Sequence, residues 1–130
     1  MSIIDHLGLQ VSDYERALAF YEQALAPLGI SVVMRVTPEQ TGGYAGAGFG
    51  SKGKPAFWLE KGERTAPKLH IAFVAENRAA VDAFYEAALA AGARDNGAPG
   101  LRPHYHANYY GAFVLDPDGH NIEAVCHGPA

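Results

Sequence analysis

Residues 3–11, IIDHLGLQV, alternate in character. Asp5, Leu7, Leu9 and Val11 fall on one side of an extended chain, and Ile4, His6, Gly8 and Gln10 on the other. That is the period of a half-buried strand. A helix follows, with Ser12 or Asp13 available as its cap and apolar Leu18, Tyr21 and Leu25 at helical spacing, closed by Pro27 and Gly29. Three shorter apolar segments come next, near 31–36, 44–49 and 55–60, separated by turn residues in TGGYAGAGFG and GSKGKP. The same order then recurs. KLHIAFV reads as a strand, Asn77 caps a helix running to about Ala91, and Gly92 stops it. Further strands are expected near 93–96, 108–115 and 121–127, with DPDG at 116–119 as a tight turn.

The recurrence extends to letters. FYEQALA at 20–26 and FYEAALA at 84–90 agree at six of seven positions, and the same offset of 64 places His6 on His70. One amphipathic heptad can match by chance; an upstream histidine in the same register is harder to obtain that way. The pattern predicts an α+β fold of two tandem βαβββ modules, about 1–62 and 66–127, joined through the polar KGERTAPK of residues 61–68 in a single domain spanning 1–130. Two such modules can join their concave faces into a cup-shaped, incompletely closed mixed β-barrel.

Composition narrows the function. The chain has 130 residues, 48% of them apolar and 18% charged, which suits one globular domain with a real core. A net charge of −4 with scattered basic residues gives no footprint for nucleic acid. One cysteine, Cys126, allows no internal disulfide and reads as a small buried hydrophobe. No apolar run approaches the length of a membrane span, and residues 1–10 lack the pattern of a signal peptide, so the expectation is a cytoplasmic protein without membrane contact.

Candidate chemistry lies on the polar sides of the strands. His6 is followed on its face by small Gly8, His70 by small Ala72, and in HNIEAVCH the residues Asn121, Glu123, Val125 and His127 share a face. His6, His70 and Glu123 can therefore converge as two imidazoles and a carboxylate, a set that holds one divalent cation (Fe, Mn, Zn, Ni or Co) with coordination positions left open. The same side chains can equally stand exposed or simply hydrogen-bonded. GLRPHYHANYYG at 100–111 is dense in acting groups. His104, His106 and Tyr109 are candidates for handling protons, and Arg102, Tyr105, Asn108 and Tyr110, with Trp58 from the first module, for binding substrate. The alternative for this segment is a Tyr-rich hairpin that plugs the end of the cup. The stretch NGAPG, 96–100, is expected to be a loop entering a strand. The glycines of GYAGAGFG lack the lysine and following helix of a phosphate loop.

H-x-G-L-x-V-x-D…A-x-x-F-Y at 6–21 and DPDGHNIEAV at 116–125 resemble the vicinal oxygen chelate superfamily, which includes glyoxalase I, fosfomycin-resistance thiol transferases, extradiol dioxygenases and bleomycin-resistance proteins. The likeness covers nearly the whole chain. It implies a metal site at His6, His70 and Glu123 and an enzyme acting on a small oxygenated molecule by bidentate chelation, as a lyase, isomerase, thiol transferase or dioxygenase. It also implies a homodimer, in which His6 can meet His70 and Glu123 of the other chain. The alternative implied function is metal-free sequestration of an aromatic or cationic compound between Trp58, Tyr109 and Tyr110. Glyoxalase I has a further glutamate ligand in the last strand of its first module. Here PAFWLEKG puts Phe57 or Trp58 opposite Glu123 in the repeat, with Glu60 the nearest acid. That departure points away from a standard glyoxalase I.

Overall fold

The structure is a computed structural model that describes residues 3–130. Its first module contains β1 (Leu7–Val11), α1 (Tyr14–Leu25), a single 3-10 turn at Ala26–Leu28, β2 (Ser31–Val36), a short α2 (Pro38–Thr41), β3 (Gly46–Ser51) and β4 (Lys54–Lys61). The second contains β5 (His70–Val74), α3 (Arg78–Ala90), β6 (Arg94–Leu101), β7 (Tyr110–Leu115) and β8 (Asn121–Cys126). The fold is α+β, two tandem βαβββ modules, as the sequence pattern predicts. Each module forms its own four-stranded mixed sheet, in the order β1-β4-β3-β2 and β5-β8-β7-β6, with one parallel pair, β1/β4 or β5/β8. The two sheets do not close into one barrel.

Local chemistry explains the helix ends. Asp13, not Ser12, caps α1, accepting from the backbone N–H of Arg16 at 3.2 Å. Asn77 caps α3 through Ala80 N–H at 2.8 Å. The unexpected α2 has a readable cause: Pro38 opens it, and Thr37 and Gln40 form a capping box.

The two apolar faces share one core. Leu9, Val11, Ala47, Phe49, Phe57 and Leu59 of the first sheet and Ala112, Val114, Ile122 and Ala124 of the second are all buried in it. Helices α1 and α3 pack on each other, and Phe57 of β4 meets Phe73 of β5 with ring centroids 5.3 Å apart. Consequently the opposite faces, carrying Gly8, Trp58 and Glu60 on one sheet and His70, Ala72 and Glu123 on the other, are turned outward. Within a chain the modules join back to back, through their apolar sides.

The repeated tyrosines have separate tasks. Tyr21 is fully buried and donates its hydroxyl to Asp116 Oδ2 at 2.5 Å, bridging helix α1 to the β7–β8 turn of the other module. Its repeat counterpart Tyr85 bonds Asp95 within its own module at 2.9 Å, on the surface.

Candidate active site

Glu123 is the centre of the second module's outward face. It is only 1% exposed although it lies on the side of β8 away from the core. Its Oε1 is 2.8 Å from His70 Nε2, and its Oε2 accepts from the Tyr109 hydroxyl. A carboxylate only accepts, so the imidazole carries its proton at Nε2. The ladder sets this meeting: Glu123 is registered with Ala72 of β5 on one side and with Phe113 of β7 on the other. Gly111 makes room for it, because a Cβ there would sit 3.2 Å from both Glu123 Oε2 and Tyr109 Cε1. A glycine inside a strand marks such close approaches, and this signal was present in YYGAF. Gly111→Ala is expected to displace Tyr109 and cost about 1–3 kcal/mol, read as a lower midpoint in chemical denaturation. An unchanged midpoint would show that the pair can shift freely.

Burial, followed by the bond to Glu123, raises the Tyr109 pKa far above its ordinary value. Tyr109 is therefore a lasting hydrogen-bond donor to Glu123 and is unsuited to accept a proton near neutrality. Behind it, Tyr109 packs against His106 and His127, with ring centroids 5.5 and 5.4 Å away. The Asn108 backbone N–H donates to His106 Nδ1 at 3.1 Å, so His106 holds its proton at Nε2 and donates it to His127 Nδ1 at 2.9 Å. His104 and Tyr105 are exposed, their rings tilted against each other with centroids 4.2 Å apart, and Tyr105 leans on Tyr109 at 4.7 Å. Asn108 is exposed on the same turn. Tyr110, one residue after Tyr109, points to the helix side instead. Its hydroxyl bonds Asp82 of α3 at 2.7 Å, and Arg78 lies over its ring at 5.2 Å.

The first module's outward face holds a separate cavity of about 550 Å³, lined by His6, Tyr44, Lys54, Trp58 and Glu60 among others. His6 is exposed and bonded to Asp5 at 2.8 Å, and Asp5 also pairs with Lys54 at 3.1 Å. Register settles the comparison with Glu123. Gly8 pairs with Trp58 as Ala72 pairs with Glu123, so Trp58 occupies the position equivalent to Glu123 and Phe57 belongs to the core. Glu60 is on the Trp58 face, with its Oε1 3.6 Å from where a Gly8 Cβ would be. Gly48 allows the indole to lie flat, since a Cβ there would come within 2.9 Å of Trp58 Cζ2.

The chain thus brings together His70, Glu123 and Tyr109, and leaves His6 on the other sheet. Among the described residues no three His, Cys, Asp or Glu side chains gather into a metal-binding group. The donor chemistry nevertheless fits a divalent cation: a shielded carboxylate and an imidazole already adjoin, and a second imidazole, His6, is exposed on the other outward face. No helix among the described residues is long and apolar enough to cross a membrane.

Two back-to-back βαβββ modules, with an imidazole–carboxylate pair on an outward sheet face, define a class of protein recognised also by comparison. The family model described as Glyoxalase/Bleomycin resistance protein/Dioxygenase superfamily matches residues 3–124, and the chain belongs to that superfamily. Among solved structures it is similar to a glyoxalase/bleomycin resistance protein from Albidiferax ferrireducens, with 27% identity, TM-score 0.71, and 98% of this chain and 100% of that one covered. A family enzyme from Burkholderia phytofirmans shares 21% identity at TM-score 0.68, covering 98% and 100% of the two chains. Glyoxalase I from Zea mays shares 19% identity at TM-score 0.67; 98% of this chain matches 45% of that one. A search of curated proteins gave no match.

Proposed function

We propose that the protein is a metal-dependent enzyme acting on a small oxygenated molecule, with each site built between two copies of the chain. The observation that carries this reading is the outward placement of both faces: His70 and Glu123 on one, His6 on the other. A second copy related by a two-fold axis would set module one against module two twice over, supplying His6 to the pair it lacks. A divalent cation held by His6, His70 and Glu123 would act as a Lewis acid toward vicinal oxygens of a substrate.

The chain's own residues have definite tasks in this scheme. Tyr109 holds Glu123 in one rotamer from behind and keeps water from its Oε2. Phe113, registered with Glu123, gives the face an apolar floor beside His70, whose ring centroid is 6.1 Å from its own. His104, at the exposed end of the segment, is open to solvent and substrate, whereas His106 is hydrogen-bonded to His127. Trp58, opposite in the pair, would close the site with a flat aromatic wall. Its place at the Glu123-equivalent position supports a three-donor site over a four-donor one.

Elemental analysis tests the reading. Purified wild type reconstituted with divalent metal is expected to hold about one equivalent per chain, and His6→Ala, His70→Ala and Glu123→Ala each to lose tight binding while circular dichroism stays native. Full occupancy in any one variant removes that residue from the set. A metal-free wild type after reconstitution would favour the second reading, sequestration of an aromatic compound on the Trp58 cavity, which the half-buried indole and Tyr44 lining the same cavity support.

A further inference from the structure

We infer that Arg102 is an anion receptor on the Glu123 face, so that the molecule accepted there carries an ionised oxyanion group, a carboxylate, phosphate or phosphonate. This rests on the proposed use of that face for a small oxygenated molecule and names its chemical class.

The seat of the guanidinium is built by the NGAPG stretch. Instead of a loop, residues 96–100 belong to β6, whose pairing with β7 is interrupted between Asp95 and Gly97 and again between Gly97 and Gly100. The two irregularities turn carbonyls toward one point: Arg102 Nη2 donates to Ala98 O at 2.8 Å and Nη1 to Gly100 O at 2.9 Å. Gly97, at φ 148, is required twice. Few L residues adopt that backbone, and a Cβ would meet Phe113 Cδ1 at 3.0 Å and Arg102 Nη2 at 3.2 Å. The guanidinium then lies over the Phe113 ring, 5.3 Å from its centroid. Phe113 is the ladder neighbour of Glu123 and lies beside His70, so the cation stands on the same outward face as the imidazole–carboxylate pair, with the Phe113 ring between them.

What the seat withholds is a counter-charge. Among the described residues the ion pairs are His6 and Lys54 with Asp5, Arg35 with Glu22, and His70 with Glu123; none involves Arg102. Two of its five N–H donors go to neutral carbonyls. A half-buried arginine, oriented by backbone and aromatic ring but not neutralised, presents its remaining donors and full charge to a ligand. Planar donors of this kind suit carboxylate and phosphate oxygens.

Inorganic phosphate is a sufficient probe. Full-length protein treated with EDTA is titrated with phosphate at low ionic strength by calorimetry, since salt screens exposed charges. Wild type is expected to bind, and Arg102→Gln to bind at least about tenfold more weakly, as for loss of a charged hydrogen bond. Gly97→Ala should weaken binding in the same direction by unseating the cation. Arg64→Gln, the same charge change at an exposed position, should leave affinity within about twofold. Equal affinity of wild type and Arg102→Gln, including no binding by either, overturns the inference and leaves Arg102 a staple of the β6–β7 connection; that role would show as lost stability alone. The titration uses no metal. Metal content of wild type and His70→Ala, measured separately, reports the underlying reading, so either can fail without the other.

Discussion

Mixed in equal amounts and allowed to exchange subunits, His6→Ala and Glu123→Ala chains should recover metal binding that neither shows alone. In the proposed dimer each site takes His6 from one chain and His70 with Glu123 from its partner. A heterodimer then has one doubly defective site and one wholly native one, so about a quarter of wild-type capacity should return after random exchange across a two-fold interface. The effect is large because the homodimers start near zero. Subunit exchange is verified with a mass-tagged chain. No recovery after exchange would mean that His6 serves no shared site. The expectation follows from the fold: the apolar sides of both sheets are spent on the core of a single chain, which leaves the two faces carrying His6 and the His70–Glu123 pair pointing apart.

The largest effect on stability is expected at the inter-module joint. Asp116 is 4% exposed, and its carboxylate accepts from the Tyr21 hydroxyl and from the backbone N–H groups of Asp118 and His120 at 3.0 and 2.8 Å. Asp116→Ala leaves these donors without their acceptor, two of them in the buried joint, at a cost on the order of 3–5 kcal/mol when each unmet buried group is worth about 1–3. Tyr21→Phe removes a single donor and should cost less; a double-mutant cycle isolates the pair. Burial, then the negative charge of Asp116, raises the Tyr21 pKa well above its ordinary value. A phenol whose folded pKa is raised contributes stability that is complete below its unfolded value near 10 and is lost as pH climbs toward the folded one. Alkaline denaturation should accordingly begin above about pH 10, and Tyr21→Phe should lessen its slope. An Asp116→Ala midpoint matching wild type would show that the joint is held by apolar packing alone.

Much of this molecule is legible one strand at a time. Leu9 and Val11, or Ile122 and Ala124, alternate with polar neighbours because only one side of each sheet enters the core, and period two is visible in any nine letters. Caps such as Asn77 and stops such as Gly92 act within a turn of helix. The choice between Phe57 and Trp58 as the counterpart of Glu123 was not legible, because a one-residue slip in the repeat alignment exchanges the two faces of β4; only the pairing of Gly8 with Trp58 decides it. NGAPG looked like a loop because glycine and proline are poor strand residues. On an edge strand with interrupted pairing they are tolerated, and here they shape the Arg102 seat. Tyr109 and Tyr110 are adjacent letters with opposite fates, one on Glu123 and one on Asp82, as neighbours in an extended chain must be. The bonds from Tyr21 to Asp116 and from His106 to His127 join distant segments and left no trace in local pattern.

The back-to-back joint also bears on how the protein is made. Residues up to Lys61 leave the ribosome as a complete set of first-module strands and helices, yet helix α1 still lacks α3 to pack on, and Phe57 still lacks Phe73. Tyr21 must wait for an acceptor 95 residues further along the chain. The nascent first half therefore presents a greasy surface until the last hairpin emerges, and slow translation of the second half should lengthen its stay on a holdase chaperone.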